Sequence, residues 1–594
     1  MNTNVNIPRA EYPRPNLVRD NWLCLNGEWD FIIDNTLSGQ YLDYKGKFEF
    51  DKKIIVPFCP ESKLSGIGNV DFMNCVWYKR SVTLPESFAG KEVILHFGAC
   101  DWETNVFVNG KKVATHRGGY TPFSANITSA LKDGENLIAV EARDDVRSGK
   151  QFVGKQSWKK FESAGCYYTR TTGIWQTVWM EAVDPAYVVN YNAVSNIDAP
   201  SVTLDVTVSE AAFGKKLSAE ITYLGKKVGE AETVISSETV ALTSALSEKH
   251  LWEVGKGRLY DVTFTILDGD TVLDKTEAYF GLRTVAMNKQ GFFLNGEYVF
   301  GRFVLDQGFY PDGIYTAPTD SALEKDIIDS MSLGFNGARL HQKVFEPRFL
   351  YYADKHGYML WDEAGNWGWD HTKIENIYNF LPEWLEEMER DKAHPSIIGW
   401  CPLNETWDHA DGARLPNEIP LMIHTVTRAK DPTRPIITNS GFMPAYDDSG
   451  NFIGSAFDIH DYMQKPEEFA KVFEDLDKGV IKDQTWRNPI YNKRQIYDPK
   501  KTIFVSEYGG IAWVENGVGW GYGESVKSKE EFLERLEGLT AVLRENPEVS
   551  AFCYTQLYDV EQEKNGLMTY EREFKFKVED INKIFSAPSV KERK

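Results

Sequence analysis

The period of the hydrophobic pattern changes once along this chain, near residue 283. Before that point apolar and polar residues alternate in short runs, the two-residue period of half-buried strands. After it, short apolar runs take turns with longer stretches whose apolar residues recur every three to four positions, the spacing of helices laid on a sheet. A chain with this switch has to carry an all-β part followed by an α/β part, and few layered architectures accommodate both.

The β part itself divides. Over 1–184, short strands come at regular intervals, among them 91–97 and 136–142. Residues 106–113 read as a hairpin, because Asn109-Gly110 supplies the positive φ that a type I′ turn requires. Strands spaced in this way predict an N-terminal jelly-roll β-sandwich. Over 185–282 the aromatic residues thin out while Thr, Ser, Glu and Lys rise. Val202, Leu204, Val206 and Val208 alternate, and a strand over 259–267 ends at the turn Asp268-Gly269. About a hundred residues of this kind predict an immunoglobulin-like β-sandwich.

From 283 to 594 the candidate strands are 298–305, 337–342, 358–363, 397–405, 435–440, 456–462, 502–508 and 549–557. The segments between them are punctuated as helices. Pro347 sits just inside one start and Gly357 just past its end. Ser528 and Glu531 form a capping box ahead of Phe532, Leu536, Leu539 and Leu543. Eight strands with helical crossovers predict a C-terminal (β/α)8 TIM barrel. A doubly wound open sheet fits less well, because no Gly-rich phosphate loop follows the first strand. The longest irregular stretch, 478–500, would overhang the carboxyl end of such a barrel.

Composition narrows the function classes. Lys+Arg is 66 and Asp+Glu is 87, a net charge of −21, which argues against nucleic acid and anionic membranes as partners and makes a strongly anionic substrate less natural. No stretch of ~18 apolar residues is present, and the first residues show no basic start followed by an apolar run. The seven cysteines include no CxxC pair, which fits free thiols in a reducing compartment, so the expected location is cytoplasmic. There is no HExxH, no P-loop and no GxSxG, so no metal or other cofactor is expected. Cys401 lies inside an apolar strand and reads as a buried thiol. Aromatic residues reach 13%, which fits either large β cores or rings that stack on sugar faces.

A barrel enzyme works at the carboxyl ends of its strands. The polar residues there are Asp306-Gln307, Arg339-Leu340-His341, Asn404-Glu405, His460-Asp461-Tyr462 and Glu507. A single Glu after a strand is more often a loop carboxylate, a cap or half of an ion pair. Two of them, Glu405 and Glu507, facing one barrel mouth suit glycoside hydrolysis, in which one carboxyl protonates the leaving oxygen and the other attacks the anomeric carbon. His341 and His460 are read as hydrogen-bonding partners of substrate or of core carboxylates.

Several segments in fixed order then resemble glycoside hydrolase family 2, the group containing β-galactosidases and β-glucuronidases. They are Asn26-Gly27-Glu28-Trp29, Gly118-Gly119-Tyr120-Thr121-Pro122-Phe123, Thr172-Gly173-Ile174-Trp175, Gly334-Phe335-Asn336-Gly337-Ala338-Arg339, and His394-Pro395-Ser396-Ile397 leading to Asn404-Glu405. The resemblance implies a retaining hydrolase with Glu405 as acid/base and Glu507 as nucleophile. It implies that Asn404 binds the sugar 2-hydroxyl and that Arg339 and Tyr462 orient Glu507. It also implies an oligosaccharide or glycoside substrate and allows a homo-oligomer.

For the sugar, the resemblance is less direct. Family glucuronidases hold the sugar carboxylate with an Asn-x-Lys pair after the last strands, whereas this chain reads Lys564-Asn565, near Asp559, Glu561 and Glu563. That favours a neutral sugar, β-galactoside first, then a furanoside (α-L-arabinofuranoside or β-galactofuranoside), with β-glucuronide behind. Asp306 would bind ring hydroxyls or else pair with Arg302. Gln556 is a further candidate for substrate contact. Among the rings after the strands (Trp367, Trp369, Trp407, Trp513, Trp520 and Tyr522), Trp407 and Trp513 are the first candidates for stacking. A non-catalytic carbohydrate-binding protein is the rival class, and it would be expected to have lost one glutamate.

Overall fold

The structure, a computed structural model, describes residues 7–406, 417–441, 445–447, 449–482, 497–514 and 518–593. Its first part is a sandwich of a four-stranded and a six-stranded antiparallel sheet. The hairpin forms as expected: Glu103–Val108 and Lys111–Arg117 flank Asn109 (φ 51°) and Gly110 (φ 79°). Alternate residues such as Val106, Val108, Ile138 and Val140 turn inward onto Trp29 and Phe31. The second sandwich pairs a five-stranded sheet with a three-stranded one. In Ser201–Val208 every second residue is buried, the pattern that Val202 to Val208 implied. Leu17–Val18, from the chain's start, adds an edge strand to this second sandwich by pairing with Ala278 and Glu277.

The barrel strands are parallel and run in the sheet order four, three, two, one, eight, seven, six. They are Gly301–Asp306, Gly337–Leu340, Met359–Glu363, Ile397–Cys401, Phe457–Asp461, Ile503–Gly509 and Val549–Thr555. Residues 435–440 supply strand five through parallel bridges from Ile436 to Trp400 and from Ser440 to Asn404. Ser455 N donates to Ile436 O at 2.9 Å and ties strand five to the entrance of strand six. Two boundaries differ from the sequence expectation. Residues 298–305 split at Phe300, because Glu297–Val299 joins a three-stranded sheet with Val285–Asn288 and Gly291–Leu294. Strand four ends at Cys401, before Glu405.

Phe292 and Leu294 of that small sheet, with Trp252 from the second sandwich, close the interior at the amino end, packing on Phe303, Met359, Trp361 and Phe504. Helix Pro347–His356 begins on Pro347 and ends at Gly357 (φ 67°). Ser528 accepts from Glu531 N at 3.1 Å to cap Lys529–Arg544. Among the described residues no helix separates strands five and six. Most of the irregular stretch 478–500 lies outside the described residues.

The loop 149–170 of the first sandwich reaches across to the barrel mouth. Val153 N donates to Trp367 O (2.9 Å), Gly154 N to Gly365 O (3.0 Å) and Trp520 Nε1 to Gly165 O (2.8 Å). At Gly154, with φ +60°, a Cβ would stand 2.2 Å from the Gln342 carbonyl oxygen, so this approach requires glycine.

Candidate active site

The site is built on a buried arginine. Arg339, at the end of strand two, is 1% exposed. Its Nη1 donates to Glu507 Oε1 at 2.8 Å, and its Nη2 donates to Asn404 Oδ1 at 2.5 Å and lies 2.6 Å from Glu363 Oε2. Tyr462 donates its hydroxyl to Glu507 Oε2, and its ring lies flat on Tyr522 with centroids 3.5 Å apart. Strand seven changes register against both neighbours between Val505 and Tyr508, and this irregularity re-aims Glu507 into the mouth. Burial alone would raise the Glu507 carboxyl. The charges of His460, Arg339 and Lys155 outweigh it and hold the group at about 2, ionised.

Glu405 is set differently. Its backbone is left-handed (φ 41°), and its N–H donates to Ser440 O at 2.9 Å. This conformation is costly for a residue with a Cβ, and the grip of strand five sustains it. Its side chain is 23% exposed against 6% for Glu507. Its carboxyl meets His460 Nδ1 at 2.8 Å, and the same nitrogen lies 3.4 Å from Glu507 Oε2. Burial works against a charge on His460, but Glu507 and Glu405 prevail and raise its pKa. His341 Nδ1 lies 3.1 Å from Glu363 Oε1, and burial with the charge of Lys155 holds this imidazole well below its ordinary value, hence neutral.

One oxygen of Glu405, one of Glu507 and a ring nitrogen of His460 lie within 4.8 Å of one another. That is the close carboxyl spacing of retaining hydrolysis, which leaves no room for a water between the second carboxylate and the anomeric carbon. A firmly held, ionised carboxylate can attack an anomeric carbon. A more exposed one with a single strong partner can exchange a proton. Among the described residues this is also the one His/Cys/Asp/Glu group spaced for a metal ion, but an ion there would take up the lone pairs both carboxylates need.

Three family profiles match the chain: glycosyl hydrolases family 2, sugar binding domain, over 66–170; glycosyl hydrolases family 2 over 186–283; and its TIM barrel domain over 317–535. The chain belongs to glycoside hydrolase family 2. That family is one of retaining glycoside hydrolases. The β-galactosidase of Thermoanaerobacter pseudethanolicus is 29% identical to it, over 59% of this chain and 47% of that one. A putative β-glucuronidase of Formosa agariphila is 27% identical over 69% and 39%. This family 2 chain thus spans less than half the length of either. A β-glucuronidase of Streptococcus agalactiae is 22% identical over 66% of this chain and 67% of that one. The β-glucuronidase of Ruminococcus gnavus in complex with D-glucuronic acid has the same fold, with a TM-score of 0.77 at 18% identity over 97% of this chain and 100% of that one. That of Bifidobacterium dentium, complexed with coumarin-3-O-glucuronide, gives 0.78 at 19% identity over 96% and 98%.

Around the two glutamates of this family 2 chain the structure gathers residues that sequence reading passed over. Lys155, in the loop of the first sandwich, is 8% exposed, with Nζ 4.0 Å over the Trp367 ring. Burial opposes its charge, but Cys166, Glu563, Glu507 and Glu405 prevail and raise its pKa. Among the described residues no carboxylate lies within ion-pair distance of it. Trp367 Nε1 in turn donates to Asn404 O at 3.0 Å. Glu363 closes strand three and pairs with Arg339. Tyr168 donates to Glu563 Oε2 (2.5 Å) and accepts from Gln307 Nε2 (2.9 Å). The only advance signal for Lys155 was its neighbour Gly154. Glu363 was visible as a strand end.

Other expectations change. Asp306 is 2% exposed, and its Oδ1 accepts from Gly308 N (2.9 Å) and from Tyr558, so it braces the loop after strand one. Burial and Asp326 push its carboxyl up to about 6. It does not pair with Arg302, whose guanidinium reaches Glu592 (2.6 Å) and the carbonyls of Phe585 and Ala587. Trp369 is buried on Phe380 and donates to Asn376 O, a packing role. Trp513 is half-buried, its ring 6.0 Å from that of Phe576. Gln556 belongs to a chain of amides, accepting from Gln307 and donating to Asn565 Oδ1 at 2.9 Å. Cys401, by contrast, is buried as its place in an apolar strand implied, and burial pushes its thiol up. Trp407 lies outside the described residues.

Proposed function

We propose that this hydrolase removes a terminal β-linked sugar by double displacement, with Glu507 as nucleophile and Glu405 as general acid/base. The observation that carries the reading is the contrast between two close carboxylates: Glu507 ionised and held by Arg339 and Tyr462, Glu405 more exposed. Asn404 binds the sugar 2-hydroxyl in this reading. Arg339 occupies its Oδ1, while its Nδ2 is buried with no hydrogen-bond partner among the described residues and is available to donate. Such a bond strengthens as the oxocarbenium-like state forms.

For the sugar, the reading moves from the neutral galactoside to a β-D-glucuronoside, with Lys155 as the counter-charge to the carboxylate. Among the described residues Lys155 is a buried ammonium with no carboxylate within ion-pair distance, and its charge is felt by Glu563, Glu507 and Glu405 at the barrel mouth. Two of the three acids expected to repel a uronate are engaged elsewhere: Asp559 with Lys575 at 2.5 Å and Glu561 with Thr169 N at 3.0 Å. β-Glucuronidases among the relatives add support. A neutral β-galactoside is the second reading. It is favoured by Glu563, which adds negative charge beside Lys155, and by the 29% identical β-galactosidase.

The test is a panel of nitrophenyl β-glucuronide, β-galactoside, α-arabinofuranoside and β-galactofuranoside. The glucuronide is expected to give the highest kcat/KM, and Lys155→Met to lower that value alone. A higher value for the galactoside or a furanoside overturns the sugar assignment. Undiminished turnover in Glu507→Gln overturns the mechanism.

A further inference from the structure

His460 stands between the two glutamates and is fixed there. Its Nδ1 is 2.8 Å from Glu405 Oε1 and 3.4 Å from Glu507 Oε2. Its Nε2 is 3.0 Å from Ser440 Oγ, which lies 3.2 Å from Asp458 Oδ1 and 3.0 Å from Ser506 Oγ. Gly441, with φ +72°, presses its backbone on the ring: a Cβ there would be 2.3 Å from the imidazole Cγ. The ring is 4% exposed and has no room to swing away. The ionisable groups that face it are Glu405, Glu507, Asp458 through Ser440, and Arg339 and His341 from strand two.

Double displacement needs Glu405 as an acid in the first step and as a base in the second, while the charge of Glu507 disappears in the ester and returns on hydrolysis. We propose that His460 stores the catalytic proton in the resting enzyme and exchanges it with Glu405 in step with the charge on Glu507. The proposal rests on the double-displacement reading above.

The protons balance. In the resting site the imidazole is protonated and both glutamates are ionised. In the first step Nδ1 yields its proton to Glu405 Oε1, and the Glu405 carboxyl turns it to the leaving oxygen. The anomeric C–O bond breaks with its electron pair going to that oxygen, and a Glu507 oxygen bonds to the anomeric carbon. The site now holds a neutral imidazole, an ionised Glu405 and an uncharged ester. In the second step water attacks the anomeric carbon, the bond to Glu507 breaks and returns the carboxylate, and the proton of water passes to Glu405 and on to Nδ1. The charges of His460 and Glu507 vanish together and reappear together. Their sum stays at zero throughout, which avoids an unpaired charge in a buried site. The other polar contact of the ring, Ser440 Oγ, accepts from Nε2–H in both forms, because the proton exchanged is the one on Nδ1.

The test is the protonation state of His460, read by nitrogen NMR of the full chain at neutral pH, with the ring signal assigned by its loss in His460→Gln. An imidazolium is expected in the native protein and a neutral ring in Glu507→Gln, where the supporting charge is gone. The same state in both overturns the proposal, while an inactive Glu507→Gln leaves the mechanism standing. Kinetics of His460→Gln supply a second measurement. With the sugar that the panel identifies, a nitrophenyl glycoside is expected to lose about 100-fold in kcat/KM, and a dinitrophenyl glycoside, whose leaving group needs no proton, only a small part of that. Equal losses for both mean that His460 is merely structural and overturn the proposal.

Discussion

At the residue scale the proposed double displacement depends on how differently two glutamates are held. Glu507 has Arg339 on one oxygen and Tyr462 on the other. Removing the Tyr462 donor takes away one hydrogen bond to the ionised form. Tyr462→Phe is therefore expected to lower kcat by about 10²-fold, the usual scale for one lost donor to a reacting anion, and to move the acid limb of the kcat/KM profile to higher pH. An unmoved acid limb would mean that the hydroxyl does not support the charge of Glu507. The carboxyl also affects stability. Its pKa in the fold, about 2, lies below its ordinary value, so it stabilises the fold above about pH 4.5, and this contribution is lost as pH falls toward 2. Glu507→Gln is expected to lose less stability than the parent across that window, as read from urea midpoints.

At the element scale, the loop 149–170 makes the first sandwich part of the barrel mouth. It docks through backbone hydrogen bonds that only a close approach permits. Gly154→Ala introduces a Cβ against the Gln342 carbonyl at a left-handed φ. It is expected to cost about 1–3 kcal/mol in stability and to raise KM, because Lys155 moves with the loop. An unchanged KM would show that Lys155 does not touch substrate. Helix Ile377–Asp391 holds the same sandwich from the barrel side: Glu383 accepts from Gly119 N (2.7 Å) and Tyr120 N (3.1 Å). Burial pushes this carboxyl up to about 8. Its pKa in the fold is above the ordinary value, so its stabilising contribution is complete below about pH 4.5 and declines as pH rises through 8. Glu383→Gln is expected to flatten that decline, as followed by thermal midpoints between pH 5 and 8.

Across the whole molecule, the domains are joined by side chains that cross from one to another. Trp252 of the second sandwich is fully buried at the amino end of the barrel and donates to Asp354 O at 2.8 Å. Trp252→Ala is expected to cost about 3–5 kcal/mol and to split one unfolding transition into two, as monitored by denaturant titration. A single transition at an unchanged midpoint would show that this contact does not couple them. The N-terminal segment acts in the same direction, since Arg19 joins Glu181 of the first sandwich at 3.0 Å to Asp274 of the second at 2.9 Å. Among the described residues no helix is long and apolar enough to cross a membrane.

Much of this was legible before any coordinates. The two-residue period, the Asn109-Gly110 turn, the Pro347–Gly357 punctuation and the Ser528 cap are local signals, and each reappears as the element it implied. Glu405 and Glu507 stood out because a polar residue that follows an apolar barrel strand faces the mouth. The fifth strand was legible as a run of residues but not as two isolated bridges, and the left-handed turn at Glu405 carried no sequence mark. Asp306 looked like a ligand for sugar because strand-end position does not reveal that Tyr558, some 250 residues away, would occupy it. Lys155, Glu363 and the bridging position of His460 were decided only when distant segments packed together. Periodicity and capping are properties of neighbouring residues and can be read along the chain. The charge state of a buried group depends on which remote side chains surround it, and only the tertiary structure decides that.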